Sequence, residues 1–72
     1  MNPWPKRALV ASPTQAARAA EERLRGAYDF TSLADADMVI ALGGDGFMLQ
    51  TLHSMLEAHR ILPIFGMNLG TV

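Results

Sequence analysis

The stretch MVIALGGDGFMLQTLH, Met38 to His53, passes from a short apolar run through three glycines grouped around one aspartate into a helical pattern. MVIAL has no polar alternation, so it predicts a strand covered on both faces, as in a parallel sheet. From Phe47 onward, Met48, Leu49, Leu52, Met55 and Leu56 fall on one helical stripe, with Gln50, Thr51, His53, Ser54 and Glu57 opposite. The turn from Gly43 to Gly46 therefore lies at the carboxyl end of a strand, where open parallel sheets bind ligands.

Working outward, RALVAS is a second buried-strand run, and SPTQ after it predicts a helix start, with Ser12 as N-cap, Pro13 at the first helical position and Gln15 completing a capping box. That helix places Ala16, Ala17, Ala20 and Leu24 on one face. Arg18 with Glu22 and Glu21 with Arg25 form opposite-charge pairs four apart, and Gly26 supplies a stop. AYDFTSLADAD stays unassigned, Phe30 and Leu33 suiting either a short edge strand or a single helical turn. ILPIFGMN is a third apolar run, whose Pro63 marks the start or edge of the strand. The order strand, helix, strand, helix, strand predicts an α/β fold, a Rossmann-like parallel βαβαβ unit over residues 1–72. Its last strand ends with nothing to cover the sheet edge, so the domain reads as incomplete.

Composition sets the outer bounds. The chain has 72 residues, so it is at most one small domain. Half of the residues are hydrophobic and 18% charged, which is rich in core for so small a surface. A formal net charge of −1 with no run of one sign argues against a nucleic-acid or acidic-membrane partner. The absence of cysteine excludes a disulfide framework and a thiolate metal site. MNPWPKRALVASP is broken by prolines and too short for a signal peptide or a membrane span, which leaves a cytoplasmic location as the expectation. Trp4 suits either a subunit contact or a loose terminus.

Glycines let backbone N–H groups approach an anion, and the following helix adds partial positive charge, so Gly43 to Gly46 outlines a phosphate cradle. It is neither of two familiar ones. There is no lysine after Lys6 for a P-loop, and Leu49 stands where the dinucleotide fingerprint needs a third glycine or alanine. Asp45 sits badly in a simple cradle, because a carboxylate repels phosphate unless it holds a metal or takes a proton. The local pattern leaves two roles open for it, helix cap or base.

GGDGFMLQTLH at Gly43 to His53, followed after a short strand by GMNLGTV at Gly66 to Val72, resembles the ATP-NAD kinase family in its N-terminal domain. The resemblance implies transfer of the ATP γ-phosphoryl group to the adenosine-ribose 2′-hydroxyl of NAD, giving NADP, with Mg²⁺ or another divalent metal. It implies that Asp45 accepts the hydroxyl proton and that Gly43, Gly44 and Gly46 leave room for phosphates. Asn68 and Gly70 match the second loop, bordering the dinucleotide. Phe47 stands where many members have threonine, so a hydroxyl contact there is lost while backbone contacts survive. Members continue into Gly-Phe-Leu and a β-rich C-terminal domain carrying an Asn-Glu motif. The chain thus reads as the N-terminal part of such a kinase, inactive alone, and the family implies a homo-oligomer, dimer or tetramer.

Two rivals remain: a lipid or sugar kinase sharing the Gly-Gly-Asp-Gly turn, and a non-enzymatic α/β module in which Asp45 only caps a helix. His53 and His59, six apart, read as helix-surface and helix-end residues, and the methionines as core filling. Asp35 and Asp37 read as turn residues.

Overall fold

The computed structural model describes residues 5–67. Strand β2 (Met38–Leu42) lies at the centre of a parallel sheet, between β1 (Arg7–Ala11) and β3 (Ile64–Met67). Val39, Ala41 and Leu42 have no exposed surface, so MVIAL is apolar throughout because both faces of its strand are covered. The sheet is extended by Ser12 N–H donating to the Leu42 carbonyl at 2.9 Å and Gly43 N–H to that of Met67 at 3.0 Å. Pro63 immediately precedes β3 and contributes only its carbonyl, which accepts from Val39 N–H.

Register sorts the side chains. Ala8 pairs with Val39 and Val39 with Ile64, so Leu9, Ala11, Ile40 and Leu42 share one face, and Val10, Ala41 and Gly66 the other. Helix α1 (Gln15–Ala27) covers the first face with Ala17, Ala20 and Leu24, packed against Leu9 and Leu42. Helix α2 (Asp45–Glu57) covers the second, where the Met48 thioether fills the space that a side chain at Gly66 would need.

Helices on opposite faces do not follow from two like-handed crossovers running in one direction, which would leave both on the same side. The segment left open by the sequence supplies the change of face. After α1 the chain touches the outer edge of β1, where Thr31 N–H donates to the Arg7 carbonyl at 2.7 Å. It then crosses back on the α2 face through a 3-10 turn, Leu33–Asp35, and enters β2. The chain thus passes from the α1 face to the α2 face before it enters β2. Arg25 covers the same outer edge further along, its guanidinium donating to the Leu9 carbonyl at 3.1 Å and pairing with Glu21 at 3.1 Å. Phe30 is stacked under it, 5.7 Å from the guanidinium carbon to the ring centre.

Element ends correct several expectations. The N-cap of α1 is Thr14, whose Oγ1 accepts Ala17 N–H at 3.2 Å, because Ser12 is still held in the sheet ladder. Pro13 therefore precedes the cap, and Gln15 opens the helix rather than closing a capping box. Gly26 lies inside the last turn, and the helix ends at Tyr28 in an extended conformation. Ala16 is exposed. Of the two expected charge pairs, Glu21 with Arg25 forms, and it is the one ion pair among the described residues. On α2, Leu49 and Leu56 are 57% and 47% exposed although the stripe placed them inside. Small residues, Ala8, Ala41 and Gly66, line the sheet under this helix, so it is Met48 and Met55, seven apart, that reach the strands.

Candidate active site

The Gly43 to Gly46 turn connects the carboxyl end of β2 to the first turn of α2, beside the loop that follows β1. The chain leaves β1 and β2 here toward opposite faces of the sheet, and between such diverging loops doubly wound sheets hold ligands. The three glycines do not answer to one requirement. Gly43 is buried, and a Cβ on it would stand 3.0 Å from Phe47 Cδ2 and 3.0 Å from Ser12 Oγ, so internal packing demands a residue without a side chain. Its N–H is spent on Met67. At Gly44 and Gly46 a Cβ would meet nothing within 4 Å. Gly44 is the N-cap, with φ −94° and ψ −173°, a conformation open to any residue.

Asp45 is the first residue of α2, not its cap. The cap position belongs to Gly44, which offers no side-chain acceptor, and the Asp45 carboxylate is exposed and accepts no hydrogen bond among the described residues. The first intrahelical bond runs from Met48 N–H to the Gly44 carbonyl at 3.1 Å. The N–H groups of Gly44 through Phe47 therefore have no intrahelical acceptor, and they stand at the positive end of the helix dipole. A negative carboxylate in this first turn is favoured by the dipole.

Phe47 is half-buried with its ring turned back against Gly43, rather than outward beside Asp45. The ring also borders a groove of about 620 Å³ along α2, together with Val10, Thr51 and Met55. Ser12 was assigned above only to capping. It is 7% exposed, and its hydroxyl lies 3.2 Å from Thr14 Oγ1. The start of the second motif is brought alongside the first by the bond from Gly43 to Met67. Asn68, Gly70 and Trp4 lie outside the described residues. His53 and His59 are exposed. Asp37 and Asp35 serve in turns, accepting from Lys6 N–H at 3.0 Å and from Ser32 Oγ at 3.3 Å.

No family model matches the chain, and no solved structure does. Its sequence is 66% identical over 65 residues to a protein of Rhizorhabdus wittichii named NAD kinase, covering 90% of this chain and 25% of that one. The chain is a relative of the NAD kinases. A second protein of that name, from Zymomonas mobilis, is 59% identical over 64 residues, 89% of this chain and 25% of its own length. A third, from Xanthomonas campestris, is 53% identical over all 72 residues and 27% of its own length. The match to NAD kinases agrees with the resemblance carried by the two glycine motifs. The chain spans about a quarter of the length of the curated relatives it matches.

Proposed function

We propose that these residues form the nucleotide-facing α/β part of an NAD kinase, which transfers the γ-phosphoryl group of ATP to the adenosine-ribose 2′-hydroxyl of NAD. The observation that carries this reading is the position of Asp45, exposed on the first turn of α2 with its cap function taken by Gly44. The open space around Gly44 and Gly46 supports it, since no neighbour among the described residues requires a glycine at either position. Close approach of an outside group does.

In the reaction, Asp45 takes the proton from the 2′-hydroxyl as its oxygen bonds to the γ-phosphorus. The bond from that phosphorus to the bridging oxygen breaks, and its electron pair leaves with ADP. The N–H groups of Gly46 and Phe47 stabilise negative charge on phosphate oxygens, and Gly44 leaves them room to approach. Asn68 and Gly70 border the dinucleotide. Among the described residues no group of three or more His, Cys, Asp or Glu side chains is gathered to hold a metal. A Mg²⁺ ion suits this arrangement as the companion of the nucleotide phosphates, which commonly supply its ligands beside one or two carboxylates. It would neutralise charge on the transferred group. The relatives' greater length supports a further C-terminal domain completing the site. A homo-oligomer and a cytoplasmic location belong to the same reading. Among the described residues no helix is long and apolar enough to cross a membrane.

A lipid or sugar kinase would use the same turn on a different acceptor, and the names of the relatives favour NAD. The capping module loses its main support, because Gly44 occupies the cap. The test is a full-length chimera in which these residues replace the matching stretch of the Rhizorhabdus wittichii relative, assayed for NADP formation. Asp45→Asn should reduce kcat by about a hundredfold or more. Near-normal turnover in that variant would remove Asp45 from the chemistry.

A further inference from the structure

Three parts of the chain converge on one point. Ser12 comes from the loop after β1, Gly43 from the end of β2, and Phe47 from the first turn of α2. A Cβ on Gly43 would stand 3.0 Å from Ser12 Oγ, 3.0 Å from Phe47 Cδ2 and 3.1 Å from Phe47 Cβ. The ring and the hydroxyl thus both close on the space beside the glycine, where the chain leaves β1 and β2 toward opposite faces. Asp45 has no comparable anchor of its own. Its carboxylate accepts no hydrogen bond among the described residues, and the glycines flanking it have open space around them. Glycine on both sides also leaves that backbone with the widest conformational freedom.

The turn is held on its strand side by the bond from Gly43 N–H to the Met67 carbonyl, and on its helix side by contacts further along. Met48 N–H bonds back to the Gly44 carbonyl, and the Thr51 hydroxyl donates to the Phe47 carbonyl at 2.9 Å. Between these two bonds two side chains reach from the helix to the sheet, Met48 to Gly66 on β3 and the ring of Phe47 to Gly43, and only the ring meets the turn that carries Asp45. We propose that Phe47 is a positioning residue for Asp45. Wedged over Gly43, it sets where the first turn of α2 stands and hence where the Asp45 carboxylate meets the acceptor hydroxyl. Its ring is turned toward Gly43 and the groove that it shares with Val10 and Met55, so it acts through the backbone rather than by touching substrate. The proposal rests on the reading of Asp45 as the base.

The chimera described above tests it, with every variant assayed well below its own melting temperature. Displacing a reacting group by a fraction of an ångström to an ångström is costly, so Phe47→Ala should lower kcat roughly ten- to a hundredfold. KM for NAD and ATP should change less than kcat, because the ring itself is no ground-state contact and only the phosphate-facing N–H groups of the turn move with it. Phe47→Leu, which refills most of the space, should recover the larger part of the loss seen with alanine. Gly43→Ala pushes on the ring from below and should reproduce the fall in kcat, and adding Phe47→Leu to it should relieve that fall. If Phe47→Ala does not fold, the Gly43→Ala and Phe47→Leu pair carries the same comparison. An unchanged kcat with only a lower melting temperature would reduce Phe47 to packing and overturn the proposal. A raised KM at unchanged kcat would make it a binding contact and overturn it equally. Activity retained in Asp45→Asn would remove the base, and the proposal with it. If Asp45→Asn is inactive while Phe47→Ala and Gly43→Ala keep normal kcat, the proposal alone falls.

Discussion

Met48 lies across Gly66 so closely that any side chain at position 66 would overlap its sulfur and terminal methyl. The pair joins the first turns of α2 to the middle of β3, and it lets a four-residue edge strand hold a helix with very little side-chain volume. Gly66→Ala should therefore destabilise the fold. Because the overlapping atoms end a flexible side chain, the cost should be at the lower end of overpacking, about 1 kcal/mol. Met48→Ala combined with Gly66→Ala should recover part of it, leaving a smaller loss from the missing methionine contacts. Urea unfolding of the two single variants and the double variant, in a full-length protein, would expose the coupling. Strict additivity would show that the two residues do not share the space.

His59 ends α2 with a φ of 56°, the left-handed conformation that glycine adopts without strain. Its N–H donates to the Leu56 carbonyl at 3.1 Å, and Arg60 N–H reaches the Met55 carbonyl at 3.0 Å, the bond pair of a Schellman ending. His59→Gly should raise stability by about 0.5–1 kcal/mol, and a β-branched residue such as valine should lower it. Melting temperatures of the two variants, moving in opposite directions from the parent, would confirm the assignment. A loss of stability in both would give His59 a contact role instead.

The fold class was legible because β2 is central. A strand covered on both faces is a continuous apolar run, and Met38 to Leu42 coincide with MVIAL. The site turn was legible for a related reason, since glycines between a buried strand and a helical stripe mark one end of the sheet. What stayed hidden depends on single contacts. The passage of the chain from the α1 face to the α2 face is held by long-range contacts, Thr31 to Arg7 and Arg60 to Ala34 and Ala36, which no periodicity reports. The cap moved from Ser12 to Thr14 because Ser12 remains paired with Leu42, a competition between ladder and helix that local pattern cannot weigh. Leu49 and Leu56 were misplaced because a stripe's useful width depends on how much sheet lies beneath it. The inward turn of Phe47 follows from the empty space above Gly43, visible only when the chain is folded.

Arg60 ties the end of α2 to the segment that crosses back to β2. Its two terminal nitrogens donate to the carbonyls of Ala34 and Ala36, and Ala36 has no exposed surface. Arg60→Ala should cost about 1–3 kcal/mol, most of it from the buried carbonyl left without its partner. Arg60→Lys should not restore this, because one ammonium on a flexible stem does not reproduce a planar fork spanning two carbonyls. Stability of the lysine variant close to that of the parent would mean that charge rather than geometry matters there.

Asp45 should separate stability from activity more sharply than any other residue of the turn. Its carboxylate accepts no hydrogen bond among the described residues and is exposed, so removing the charge forfeits only a favourable interaction with the α2 dipole. An exposed charge in a first turn contributes about 0.3–1 kcal/mol, and Asn at the same place preserves size and shape. Asp45→Asn should thus unfold within about 1 kcal/mol of the parent while losing phosphoryl transfer. A residue that only shaped the turn would do the reverse, losing stability first and activity in proportion. Measuring denaturant midpoint and kcat on the same preparation distinguishes the two. A large drop in the midpoint with residual turnover would place Asp45 among the structural residues of the turn, and the search for the proton acceptor would move elsewhere.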